Sequence, residues 1–282
     1  MSGITITDGA FGCGDMLARR LTDLLGWRYL REEALIESVQ HYRVARAIPT
    51  GMFELRAPWW NRLVENHALY RIALQAALCD TAQGGSFVYH GVAGQEIVPQ
   101  MRQILRIFLV VPNEHRVEQV RLTKGLSGER AKRWLADMDR TTDRRFKAIF
   151  GVGWRDPSRY DCVLNTSKFS VETTARLIIN LTQQIECQPT RQSEQTFHDF
   201  LLEGRIRAAL LTSDNTCRMD LKVDVHNRLV HVSGFLFPLE YDFKKEIVRV
   251  IEAVPGVNKV TSDIRLLPND DSVPAIPENS LY

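Results

Sequence analysis

Residues 4–21 read ITITDGAFGCGDMLARRL, and this stretch sets the fold of the first two-thirds of the chain. Ile4-Thr5-Ile6 is a short β-type run. Gly9, Gly12 and Gly14 allow a tight loop. Leu17, Leu21 and Leu24 then recur at helical spacing, with Arg19 and Arg20 on another face. Strand, glycine loop and helix in this order predict a phosphate-binding loop. Its amide N–H groups and the helix N-terminus favour an anion. Gly9-x-x-x-x-Gly14 has the P-loop spacing, which makes Gly9, Gly12, Cys13, Gly14, Asp15 and Met16 the candidate phosphate-facing residues. The next two positions depart from the motif. Lys followed by Ser or Thr would reach the terminal phosphates and ligate Mg²⁺; here they are Asp15 and Met16. A unit-charge pair at ~4 Å and an effective dielectric of ~20 is worth about 4 kcal/mol. Replacing attraction by repulsion therefore opposes a triphosphate, unless a metal ion sits between. Met16 offers no oxygen ligand. A plain strand-to-helix turn is the competing reading.

Working outward, 282 residues suffice for one large or two ordinary domains. The 44% hydrophobic and 25% charged residues are ordinary for a soluble globular chain. A net charge of +2 gives no reason to expect nucleic acid. No apolar run is long enough to span a membrane, and no secretory leader pattern is seen. Cys13, Cys79, Cys162, Cys187 and Cys217 are scattered, without a CxxC pair, so neither a zinc site nor a disulfide framework is expected. The expected setting is a reducing cytoplasm.

Strand signals follow at 27–30, 86–90, 105–111 (LRIFLVV) and 160–166, separated by helical periodicity at 32–41, 61–81, 114–122, 127 onward and 170–185. Alternation of this kind predicts an α/β layered, mainly parallel sheet with helices on both faces, with 4–6 and 105–111 as neighbouring inner strands. Trp59-Trp60 reads as core or interface, with a ligand platform as the alternative. The helix after Ser127 carries Asp137, Asp139, Arg140, Asp143, Arg144 and Arg145; it is a solvated face or an arginine-bearing lid over phosphates. Residues 187–195 (CQPTRQSEQ) read as a linker. Beyond them a helix from Phe197, alternating runs at 217–224 and 228–234, a helix at 241–254 and a strand at 257–266 predict a small separate αββαβ module. Its first two strands should pair antiparallel, with Met219, Leu221 and Val223 on one face and Val225, Leu229 and His231 in the outward set. Residues 268–282 lack periodicity and read as a tail.

Two resemblances arise from these stretches. Residues 1–186 resemble a cytidylate kinase-type nucleotide kinase, in its diverged branch, through ITITDGAFGCGDMLARRLTDLLGWRYL, LRIFLVVPNEHRVEQV, DMDRTTDRR and WRDPSRYDCVLNTSKFSVETTARLI. Residues 196–267 resemble a BON domain through VSG at 232–234 and PGVNKV at 255–260. The first implies a P-loop fold, ATP with Mg²⁺ and a nucleoside monophosphate as ligands, and lid arginines, here Arg140 and Arg144, on the transferred phosphate. Arg31-Glu32-Glu33-Ala34 stands where active relatives carry Asp-Thr-Gly and an Arg for the monophosphate, and Gly91-Val92-Ala93 where the diverged branch has Gly-Arg-Gly. Several phosphate-facing positions have thus lost or reversed charge together. The BON resemblance implies binding, with sensing or self-association, and no chemistry.

The expected function is a diverged nucleotide-kinase-like protein that binds a nucleotide or other phosphate-bearing ligand. It would act in regulation, sensing or assembly, as a homo-oligomer or with a protein partner through the C-terminal module. Phosphotransfer would be absent or weak, and no resident metal is expected. The alternative is an active nucleoside monophosphate kinase whose cation comes from Arg19, Arg140 or Arg144. A purely structural assembly protein stays open. A dinucleotide oxidoreductase fits poorly, since Gly9-x-x-Gly12-x-Gly14 is not G-x-G-x-x-G.

Overall fold

In the computed structural model, residues 1–40, 67–82, 85–217, 219, 221–236 and 243–266 are described. Trp59-Trp60 and the 268–282 tail lie outside them. The chain divides into two compact units. The first contains residues 1–35, 82 and 85–194. The second contains 36–40, 67–81 and the described residues from Gln195 onward.

The first unit is built on a five-stranded sheet of order β2-β3-β1-β4-β5, with β1 at Gly3–Thr7, β2 at Arg28–Arg31, β3 at Phe87–His90, β4 at Ile104–Val110 and β5 at Cys162–Asn165. All four pairings are parallel. β1 lies between β3 and β4, with Ile4 opposite Val88 on one side and Leu105 on the other, so the two expected inner strands are neighbours. Every residue of β1 is buried, as a strand covered on both faces requires.

Helix α1 (Gly14–Leu25) lays Leu17, Ala18 and Leu21 on Ile4, Ile6, Val88 and Ile107. Each fully buried Leu contributes about 1.5–3 kcal/mol. Gly26, at φ 67°, ends α1 in the left-handed region. Helix α2 spans Glu32–Gln40, α3 His67–Ala82, α4 Gly94–Ile97, α5 Asn113–Lys124 and α6 Gly128–Phe150. Helix α7 (Val171–Thr182) is capped by Ser170, whose hydroxyl accepts the Thr173 N–H at 3.1 Å. Ser127 does occupy the N-cap of α6, but its side chain makes no cap hydrogen bond.

In the second unit, helix α8 (Arg191–Thr212) starts six residues before the expected Phe197, because the polar stretch 191–196 is helical and not a loop. Its Gly204 lies against Cys79 of α3; a Cβ there would fall 2.3 Å from the Cys79 Cβ. Strands β6 (Leu221–His226), β7 (Leu229–Leu236) and β8 (Lys259–Leu266) form a separate sheet of order β6-β7-β8. β6 and β7 pair antiparallel as expected, and β8 joins β7 in parallel. Helix α9 (Phe243–Glu252) supplies Ile247 and Ile251 to a core shared with Leu202, Ile206, Val223, Val230, Val232 and Ile264.

Leu229 and His231 are exposed as expected, but Val225 packs inward, since it shares parity with Leu221 and Val223 on a period-two strand. The β6–β7 turn is Asn227-Arg228, both at positive φ (50° and 63°). Buried Asp199 of α8 accepts both of their amide N–H groups, at 2.9 and 3.2 Å.

Candidate functional site

The loop between β1 and α1 opens onto a cavity of about 310 Å³. Its walls come from the loop (Asp8 to Gly12, with Asp15), the start of α2 (Glu32, Glu33), the end of β3 (His90 to Val92) and the inner face of α6 (Met138, Asp139, Thr142), with Trp154. Gly9, Gly12, Cys13, Gly14, Asp15 and Met16 are together at the loop and the start of α1. Gly9, Gly12 and Asp15 line the cavity. Met16 is 56% exposed and Cys13 and Met16 do not line it. Burial raises the Cys13 thiol pKa.

Asp15 is turned toward its own helix. Its Oδ2 accepts from Arg19 Nε at 2.8 Å, and its Oδ1 from the Tyr29 hydroxyl at 2.6 Å. The Arg19 and Tyr29 hydrogen bonds hold its carboxyl below the usual range. Arg19, a candidate substitute cation, is thereby engaged on the surface.

Asp8 folds back into the loop. Its Oδ2 accepts the Gly14 N–H at 2.7 Å, and its Oδ1 lies 2.9 Å from His90 Nε2. A Cβ on Gly12 would meet Asp8 Oδ2 at 2.1 Å, so the carboxylate fills the space that only glycine leaves open. Burial acts to lower the His90 pKa, but the Asp8 hydrogen bond and the charges of Asp8, Glu32 and Asp15 outweigh it and raise it. Glu32 accepts the Val92 N–H at 3.1 Å through Oε2. Its Oε1 is buried without a hydrogen-bond partner among the described residues. Burial pushes its carboxyl up to about 7.

The α6 helix meets the loop through a salt bridge. The side chain of Arg116 (α5) is 5% exposed and grips Asp139 in bidentate fashion, at 2.6 and 2.9 Å. Its Nε donates to Ala10 O at 2.9 Å. A Cβ on Gly9 would lie 2.6 Å from the guanidinium carbon, so the loop rests on Arg116. Arg155 also pairs with Asp139. Burial would raise the Asp139 carboxyl, but the two arginines overcome it and hold it low. Phe11, at φ 59°, packs edge-on against Trp134 of α6 at 5.6 Å.

Arg140 and Arg144 are both exposed and neither lines the cavity; Arg140 is 3.7 Å from Asp137 on the outer face of α6. In their place the helix presents Asp139 to the cavity. The wall therefore carries five carboxylates (Asp8, Asp15, Glu32, Glu33, Asp139) against one histidine. Of these, Asp15, Glu32 and Glu33 are legible in the sequence as charge reversals. Asp8, His90, Arg116 and Trp154 are not candidates in the sequence, and Asp139 enters there only as part of the charged face of α6.

ATP with Mg²⁺ fits these residues poorly. The loop's Gly14 amide is already taken by a carboxylate, residue 15 is acidic, and residue 16 is an exposed thioether. No group of three His, Cys, Asp or Glu placed to hold a metal ion occurs among the described residues.

Comparison with known proteins bears on the first unit. Residues 3–168 match the Cytidylate kinase-like family. A cytidylate kinase of Methanopyrus kandleri is 36% identical over 74 residues, covering 26% of this chain and 38% of that protein. A cytidylate kinase of Pyrobaculum arsenaticum is 29% identical over 110 residues, covering 39% and 59%. The chain thus spans less than two-thirds of the length of these curated relatives. Among solved structures, an uncharacterized protein from Eubacterium ventriosum aligns with TM-score 0.49 and 18% identity, over 64% of this chain and 97% of that one. A shikimate kinase from Bacteroides thetaiotaomicron aligns with TM-score 0.41 and 13% identity, over 65% and 99%. The family match covers more than half of the sequence and includes the strand, glycine loop and helix that form the cavity, and on that ground this chain belongs to the cytidylate kinase-like family.

Proposed function

We propose that this chain is a ligand-binding member of its family in which phosphoryl transfer is absent or weak, and that it acts in regulation, sensing or assembly. Its ligand is a nucleotide or another phosphate-bearing molecule held at the glycine loop. The observation that carries the reading is the lining of the cavity, which sets five acidic side chains and one histidine, with no lysine or arginine among its described lining residues, where transfer requires positioned positive charge. The second reading, an active cytidylate kinase drawing its cation from Arg140 or Arg144, is favoured by the activity named for the relatives. It would need α6 to turn its outer face inward, against the Arg116–Asp139 pair.

A coupled assay with ATP and each nucleoside monophosphate separates the two. Turnover is expected to be undetectable, or orders of magnitude below the roughly 1–100 per second of typical kinases. Turnover within tenfold of that range, lost in Arg140→Ala or Arg144→Ala, would establish the second reading.

The C-terminal αββαβ module serves in this proposal as a BON-like binding or self-association element. Its order of elements, α8-β6-β7-α9-β8, supports the reading, as does the exposed sheet face bearing Leu229 and Phe235, the latter 62% exposed. Full-length protein with Phe235→Asp should lose self-association by light scattering. An unchanged mass would remove this face from the assembly reading. No helix among the described residues is long and apolar enough to cross a membrane.

A further inference from the structure

We infer that Asp8 is the resident anion of the glycine loop and the residue that determines whether this chain accepts a phosphate group. The inference rests on the proposal that the loop is a retained phosphate cradle. A glycine loop opening a helix offers an anion two things, free amide N–H groups and the positive end of the helix dipole. In this loop two of those amides, one of them the first N–H of the helix, are already used. Gly12 N–H is satisfied within the loop by Gly9 O at 3.0 Å. Gly14 N–H, the first of α1, donates to Asp8 Oδ2 at 2.7 Å. Cys13, at the N-cap, makes no side-chain cap bond, so Asp8 serves as the helix's anionic partner from six residues upstream.

The fit is steric as well as electrostatic. The Asp8 side chain is only 8% exposed. Its carboxylate sits over two glycines: a Cβ on Gly12 would reach Oδ2 at 2.1 Å, and one on Gly14 would reach Cγ at 2.8 Å. On its other side His90 Nε2, 2.9 Å from Oδ1, holds it in place. A phosphate entering the loop would have to share this space with a carboxylate of like charge. Asp8 therefore competes with inorganic phosphate, pyrophosphate and the phosphate tail of a nucleotide for the loop, and weakens their binding while it stays folded in. Such ligands bind more tightly when it swings out or is removed.

The competing possibility is that Asp8 is a helix cap and nothing more, and the test separates the two. Full-length wild type, Asp8→Ala, Asp8→Asn and Glu118→Gln would each be titrated with sodium pyrophosphate by calorimetry in EDTA, so that no divalent ion bridges ligand and protein. Glu118 is a surface acid on α5 paired with Arg121 and controls for net charge alone. Asp8→Ala is expected to bind pyrophosphate at least tenfold more tightly than wild type, and to melt higher when pyrophosphate is added. Asp8→Asn keeps the shape and the acceptor but not the charge; it should gain part of that affinity, and it carries the test if Asp8→Ala fails to fold. Glu118→Gln should bind as wild type does.

If Asp8 only caps the helix, its variants melt lower with no gain in affinity, and the inference falls. It falls equally if wild type already binds pyrophosphate as tightly as the variants do. Kinase turnover is read separately on the same preparations. Wild type turning over at kinase rates would sink the functional proposal, while a gain in pyrophosphate affinity at Asp8 would leave this inference standing.

Discussion

Replacing Asp139 by Ala should destabilise the first unit far more than a change at any exposed charged residue of α6. The reason lies with its partner. Arg116 has a side chain 5% exposed and places two guanidinium nitrogens on Asp139, at 2.6 and 2.9 Å. Truncating the carboxylate leaves a buried cation with Ala10 O on Nε and a 3.5 Å contact to Asn113. Breaking a buried pair from one side costs about 3–5 kcal/mol, because the surviving charge is uncompensated.

For a unit of this size, each kcal/mol moves the melting temperature by roughly 2–4 °C, so the expected fall is about 6–20 °C. The Arg155 side of the same pair is 45% exposed and adds little by comparison. Arg140→Ala, one position along the helix but 70% exposed, should stay within about 0.5 kcal/mol of wild type. Urea unfolding followed by tryptophan fluorescence measures both variants. The pH dependence gives a second check. The folded Asp139 pKa is lowered, so its stabilisation is present above the unfolded carboxylate pKa and is lost as pH falls through the folded value. An Asp139→Ala loss below 1 kcal/mol would refute the account of Arg116 as a buried, dependent charge.

Glu32→Gln tests the opposite sign. Its folded pKa of about 7 lies above the ordinary 4.5, so its contribution is full below pH 4.5 and lost as pH rises through 7. The variant should flatten stability over that window and be more stable than wild type by up to about 3 kcal/mol near pH 8–9; identical pH profiles would exclude it. Arg228→Gly should stabilise the chain by several tenths to about 1 kcal/mol, because residue 228 sits at φ 63° in a two-residue turn that favours glycine. A loss in thermal unfolding would contradict the positive-φ strain argument. Gly204→Ala should cost about 1–3 kcal/mol in urea unfolding, since the added methyl would meet the Cys79 Cβ at 2.3 Å. A neutral result would mean that α3 and α8 can separate freely.

The parts of this fold that were legible are local. Ile4-Thr5-Ile6, the three glycines and Leu17, Leu21 declare strand, loop and helix within eighteen residues. The nearly all-apolar, β-branched run at 105–111, ended by Pro112, reads as a strand covered on both faces. The full strand order was not legible, because pairing β2 with β3 depends on where α2 and α3 return the chain. The site was half legible for the same reason. Glu32 and Glu33 stand out because they follow a strand at the sheet's carboxyl edge. Asp8 looks like an ordinary turn residue until its side chain is seen to fold back six positions, and Arg116 sits in a helix whose apolar signal is weak. The face of α6 could have been read. Ala131, Leu135, Met138, Thr142, Phe146 and Ile149 recur every three or four residues and mark the inner stripe. Asp139 borders that stripe; Arg140 and Arg144, four apart, share the other side.

The reversed charges of the cavity are coupled to one another in space. Asp8 takes the loop amide, and His90 fixes Asp8. Arg116, a cation one might have assigned to a phosphate, lies beneath Gly9 and is held by Asp139. Asp15 ties down Arg19, and Glu96 ties down Arg159 at 2.7 and 2.5 Å. Each of these cations is matched to a carboxylate in a bond of 2.9 Å or less. Restoring one lysine at position 15 would therefore not recreate a kinase loop. Asp15→Lys would remove the partner of Arg19 and Tyr29 while Asp8 still filled the cradle. The substitution that matters first is at Asp8, since its carboxylate occupies the Gly14 amide, where a phosphate beside any added cation would bind.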